Sequence, residues 1–187
     1  MRLLLVGPPG AGKGTQAQVI AGKLGVLHIA TGDIFRANVA GQTELGQEAR
    51  SYMDAGELVP DSVTNAMVLD RLGQADTTGG FILDGYPRNA DQADVLGDFL
   101  AERDERLDAV VRLVVDDEHV TERLLERAQN QGRTDDTVEV ISHRLDIYHA
   151  STEPLVDYYR ERGLLRDVEG IGSIEDVTAR ILAILPS

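Results

Sequence analysis

The chain has 187 residues, which a usual domain size of about 150 residues reads as one compact domain. Apolar residues make up 42% and charged residues 27%, so a packed core is available and disordered or collagen-like structure is excluded. The absence of cysteine removes disulfides, thiolate zinc sites, iron–sulfur clusters and cysteine nucleophiles, and 18 basic against 32 acidic residues, a net charge of −14, argue against binding to nucleic acid or anionic membrane.

In chain order, residues 2–6 form a continuous apolar run suited to a strand buried on both faces, and residues 7–14 follow as a glycine-rich turn. The apolar run is too short for a signal segment or a membrane span, which gives the expectation of a cytoplasmic protein. A helix is predicted over 13–24, a strand over 26–30, and three helical pieces over 34–40, 43–54 and 61–73, separated by Gly41, Gly56 and Pro60. Thr31, Gly32 and Asp33 read as a helix entry, with Thr31 as N-cap.

Further strands are predicted over 80–84, 109–115 and 164–168, with helices over 89–103, 117–129, 138–162 and 174–185. Residues 130–137 are polar and without periodicity. Alternating strands and helices indicate an α/β fold with a five-stranded parallel sheet, helices on both faces, and a ligand at the carboxyl ends of the strands.

Gly7-Pro8-Pro9-Gly10-Ala11-Gly12-Lys13-Gly14-Thr15 lies where a phosphate loop belongs, between a buried strand and a helix. Glycines let successive backbone N–H groups turn inward, the helix N-terminus adds partial positive charge, and Lys13 reaches terminal phosphates. The loop is expected to hold a nucleoside triphosphate. Lys13 and Lys23 are the only lysines, so nearly all cationic groups are arginine forks suited to phosphate oxygens, although genomic bias or salt adaptation explains the composition equally well. Asp84 ends a buried strand and can orient magnesium-bound water, and Arg88 can reach a second phosphate. Arg123 and Arg127 fall one turn apart on one helix face. His28, His119, His143 and His149 show no metal-ligand spacing and are assigned no chemistry.

The string GPPGAGKGTQ, with Gly14 where the general phosphate-loop pattern has Ser or Thr, resembles the loop of adenylate kinases and their nucleoside-monophosphate kinase relatives. The strings TGDIFR from Thr31, GELVPD from Gly56 and DGYPR from Asp84 extend the resemblance in order along nearly the whole chain. It implies a P-loop NTPase fold with a core of 1–29, 60–125 and 137–187, a helical monophosphate-binding insertion over 30–59 and a short lid over 126–136.

On that resemblance Gly10, Ala11, Gly12, Lys13, Gly14, Thr15, Arg127 and Gly172 would hold ATP. Thr31, Arg36, Glu57, Leu58, Val59, Gly85, Tyr86, Pro87, Arg88, Gln92, Arg133 and Arg144 would hold AMP, with Gln92 reading the adenine edge. Lys13, Asp84, Arg88, Arg123, Arg133 and Arg144 would be catalytic. The resemblance further implies magnesium on the ATP, no direct protein ligand to it, no zinc, ATP, AMP and ADP as small-molecule partners, and a monomer. The sequence lacks an obvious catalytic base, which a phosphate acceptor does not need. A UMP/CMP kinase and a nucleotide-dependent switch are the competing readings; Gln92 favours adenine, and no NKxD string favours a guanine switch.

Overall fold

Three consecutive leucines commit β1 (Arg2–Val6) to the middle of a sheet: Leu3 and Leu5 enter one core and Leu4 and Val6 the other, all at 5% exposure or less. The computed structural model describes residues 1–131 and 137–186. Beside β1 stand β2 (Leu27–Ala30), β3 (Phe81–Asp84), β4 (Ala109–Val114) and β5 (Leu165–Glu169). The five pair in the order β2-β3-β1-β4-β5, every ladder parallel. The chain therefore moves to one flank after β1 and to the other after β3, and the loop leaving β1 sits at the reversal, where α/β sheets bind ligands.

One face of the sheet is covered by α1 (Lys13–Leu24), α6 (Asp117–Gln131), α7 (Val138–Ile147) and α9 (Ile174–Ile184), through Ile20, Leu124, Ile141 and Ile181. The other is covered by α4 (Asp61–Leu72), α5 (Ala90–Ala101) and α8 (Leu155–Glu161), through Val68, Leu96 and Tyr159. A third, small cluster of Phe35, Ala49 and Val59 joins α2 (Thr31–Ala40), α3 (Glu44–Ala55) and the turn after them. The expected α/β fold with a five-stranded parallel sheet is what the chain forms.

Two predicted elements differ. Helix α2 begins at Thr31, with Ala30 as N-cap and no side-chain capping bond; the Thr31 hydroxyl instead donates to the Asp84 carbonyl, 3.3 Å away. The single helix expected over 138–162 is broken into α7, a π turn at Tyr148–Thr152 and α8. Pro154, which has no N–H to donate, follows the turn. Asn89 and Thr43 act as side-chain N-caps, accepting from the amides of Gln92 and Gly46.

The π turn is tied to α6 by His149, whose Nδ1 lies 2.8 Å from Glu153 Oε2 and whose Nε2 lies 3.0 Å from Asp117 Oδ2. Hydrogen bonding to Glu153 raises the His149 pKa, burial opposes it, and Asp117 adds to the rise. A raised imidazole pKa means that this clasp stabilises the fold fully below the unfolded value of about 6.5 and is lost as pH rises through the folded one. His149→Gln should therefore lower the melting temperature more at about pH 6 than at about pH 9; an equal loss at both would show that the imidazolium contributes nothing.

Candidate functional site

The site begins with strand register. Leu5 and Ala30 both stand opposite Asp84, so the loop after β1, Thr31 after β2 and the end of β3 emerge side by side. Except for Tyr86, every residue expected in the site and lying within the described residues lines one cleft of about 1130 Å³. Arg133 lies outside the described residues.

The loop is seated on α6, the helix that carries Arg123 and Arg127. A β-carbon on Gly10, whose φ is +84°, would stand 2.8 Å from Leu124 Cγ and from the Val120 carbonyl, so only glycine lets the two approach this closely. Lys13 bends back over the loop, donating to the carbonyls of Gly7 and Pro8 at 2.8 Å each. Its surface is half-buried, but its ammonium lies on the cleft floor, and desolvation pushes its pKa down to about 8, against the pull of Asp84 and with Arg88 and Arg127 adding to the fall. An incoming phosphate would restore the charged form.

Gly85 does for the other side what Gly10 does for the loop. At φ +84° its missing β-carbon would lie 2.6 Å from Thr31 Oγ1 and 3.4 Å from Arg88 Nη2, so the turn brings a hydroxyl and a guanidinium against one glycine. Arg88 donates through Nε to the Gly85 carbonyl at 2.8 Å. Its side chain is exposed to the cleft, yet surrounding protein strips water from the guanidinium and lowers its pKa; Asp84 opposes and Arg144 adds to the fall. Asp84 Oδ2 is 3.3 Å from where a β-carbon on Gly14 would lie.

Arg36 pairs with Asp33 on α2. Arg123 donates to the Gly170 carbonyl at 3.2 Å, and Arg144 approaches the Met53 carbonyl at 3.4 Å. Glu57 meets His143 Nε2 at 2.6 Å, joining the turn after α3 to α7. Gln92 lines the cleft, but its amide is engaged at both ends, donating to Asp61 Oδ1 at 2.7 Å and accepting from the Arg88 amide at 2.8 Å. To read a base edge it would have to exchange one of these partners. Tyr86 stands apart: at 1% exposure it packs behind the site, its hydroxyl donating toward Asn65 Oδ1 and the Gln92 carbonyl, and burial raises its pKa.

His28 is assigned no chemistry from the sequence. It lines the cleft with Nε2 buried and lacking a hydrogen-bond partner among the described residues, 3.9 Å from Asp84 Oδ2. Its place near the carboxyl end of β2, three residues before Thr31, is the signal that could have found it. Gln16 and Ser173 also line the cleft.

Sheet, glycine loop and a cleft edged by guanidinium groups together define a P-loop protein built to handle phosphates. An adenylate kinase family model matches residues 5–164. Proteins named adenylate kinase from Thermobifida fusca, Micrococcus luteus and a Nocardioides species are 56%, 58% and 54% identical to this chain; the matches cover 100%, 97% and 99% of it and 99%, 88% and 97% of the relatives. The chain belongs to the adenylate kinase family and is a phosphotransferase. Among the described residues no helix is long and apolar enough to cross a membrane.

The close approach at Gly85 is directly testable. Gly85→Ala should cost about 1–3 kcal/mol, because an alanine there is strained in backbone and collides with Thr31. Urea unfolding reads this as a lower midpoint, and an unchanged midpoint would show that the contact relaxes freely.

Proposed function

We propose that this protein moves the terminal phosphoryl group of ATP, taken with magnesium, reversibly onto AMP to give two ADP. The bond from the terminal phosphorus to the bridging oxygen breaks, leaving ADP, and a new bond forms to a phosphate oxygen of AMP. What supports the reading is the convergence on one cleft of the loop with Lys13 and of Arg88, Arg123, Arg127 and Arg144 from three separate stretches. Such transfer asks the protein for alignment and charge cancellation, and an anionic acceptor needs no base.

In this reading the backbone amides from Gly10 to Thr15 cradle the donor phosphates, Lys13 leaves the Gly7 and Pro8 carbonyls for them, and Arg123 and Arg127 close over them. On the opposite side Thr31, Arg36, Gly85, Pro87 and the Glu57–Leu58–Val59 turn receive AMP, with Gln92 at its base. Arg88, Arg133 and Arg144 hold the phosphates that meet. The stretch 30–59 and the lid over 126–136 close to keep water from the poised donor, and desolvation strengthens each contact as they do. Bound on the donor's phosphates, magnesium offsets part of their negative charge. Asp84, a carboxylate at the floor beside Lys13, suits an ion whose other ligands are phosphate and water. The same reading makes the protein a cytoplasmic monomer.

A coupled assay with AMP, CMP, UMP and GMP tests the acceptor. AMP should be the best substrate by about an order of magnitude or more, and a better rate with CMP would overturn the assignment. Lys13→Ala should cut turnover by about two orders of magnitude or more; near-normal activity would show that the loop is not the donor site.

The Lys13 pKa gives a sharper test. With the Lys13 pKa pushed down to about 8 in the free protein, much more of this side chain is neutral at about pH 8.5 than at about pH 7. Magnesium ATP should then bind with proton uptake at the higher pH and almost none at the lower. Calorimetry in two buffers of different protonation enthalpy measures it, and uptake that persists in Lys13→Met would assign the proton elsewhere.

A further inference from the structure

The two flanks of the sheet line the cleft with different residues. Beyond β2 and β3 the cleft is lined by residues such as Thr31, Arg36, Arg88 and Gln92, whereas beyond β5 its lining includes two glycines, Gly170 and Gly172, beside Ser173 and Ile174, and a residue without a side chain leaves its main chain open to a ligand. With the donor phosphates on the central loop, as in the reading proposed above, and Gly172 expected in the ATP site, the donor base would lie on this second wall. A wall of main chain selects a base only if its peptide groups keep a fixed orientation.

Three side chains supply that fixity. Gln16, 4% exposed on α1, donates to the Ile174 carbonyl at 3.1 Å, and the buried Thr178 hydroxyl lies 2.7 Å from Gln16 Oε1. Arg123 holds the Gly170 carbonyl. On either side of Gly170 in sequence, Arg180, from α9, uses one nitrogen for two carbonyls, Ile171 at 2.7 Å and Glu169 at 3.1 Å, with the Glu169 carboxylate 3.6 Å away. Its Nη2 would be 3.5 Å from a β-carbon on Gly172, so the guanidinium backs the glycine that faces the cleft.

We propose that Arg180 is a positioning residue that sets the choice of donor base. It is not among the residues lining the cleft; it acts through the carbonyls of residues 169 and 171, whose peptide planes turn if released. Gln16 and Thr178 are buried and Arg123 is assigned to the donor phosphates in the reading above, which leaves Arg180, with its side chain 40% exposed, as the one of these braces whose removal opens no cavity in the core. Its loss should blur base selection without disturbing phosphate chemistry or the acceptor flank.

The test compares ATP, GTP, CTP and UTP as donors to AMP for the full chain and for Arg180→Met, Arg180→Lys and Glu169→Gln. Arg180→Met should raise the KM for ATP about fivefold, the scale of two charge-assisted bonds that are partly open to water. The ATP preference in kcat/KM should shrink by about the same factor, while the KM for AMP and the kcat at saturating donor stay within about twofold. Arg180→Lys, which can still donate to the carbonyls, should recover part of the preference, and Glu169→Gln, which keeps them bound, should match the unaltered protein. An unchanged donor preference, a joint rise in both KM values, or a Glu169→Gln variant as impaired as Arg180→Met would overturn the proposal. Inactivity of the unaltered protein with every donor would instead sink the proposed function; direct titration of ATP and GTP into the two Arg180 variants would then still decide the role of Arg180.

Discussion

The ammonium of Lys13 rests on a cleft floor with one carboxylate, Asp84, drawing it toward the charged form and two guanidinium groups, Arg88 and Arg127, pressing against it. The rest of the site is built around that desolvated ammonium. A protein of net charge −14 repels polyanions at long range, so attraction has to be local, close and partly dry. Burial weakens Lys13 as a cation in the free protein and strengthens each contact it makes once a phosphate arrives. Desolvation lowers the pKa of Arg88 in the same way.

The sheet makes this concentration possible. Its order sends the chain to opposite flanks after β1 and β3, and the carboxyl ends of the strands open into one cleft. Close contacts then replace long side chains as the means of assembly: Gly10 lets the loop touch α6, and Gly85 lets Thr31 and Arg88 share one turn. Several arginines meanwhile hold carbonyl groups, as Arg88 does at Gly85 and Arg123 at Gly170. These guanidinium groups are oriented by the backbone rather than left to sweep the cleft, which reduces the ordering cost of gripping an anion.

Much of the fold was legible because each buried strand is a short apolar run between turn residues, as at residues 2–6 and 109–114. The loop at 7–15 was legible because its chemistry is carried by contiguous residues. What escaped depends on partners distant in sequence. Thr31 looks like a cap, but a carbonyl 53 residues away claims its hydroxyl. Helical spacing continues through Tyr148–Thr152 while the backbone widens into a π turn. Tyr86 sits inside a site motif yet packs into the core, held by Asn65 and Gln92. His28 and Arg180 carry no motif at all; only folding brings them to Asp84 and to the carbonyls of residues 169 and 171.

The small cluster of Phe35, Ala49 and Val59 is distinct from the two cores that clothe the sheet and shares with one of them the half-buried Met67. Three buried side chains retain far less free energy than either large core, so α2 and α3 can come loose at a fraction of the cost of global unfolding. Warming should melt this outlying patch while the sheet behind it still stands, and heat would then erode the fit around a small guest before it erodes the molecule.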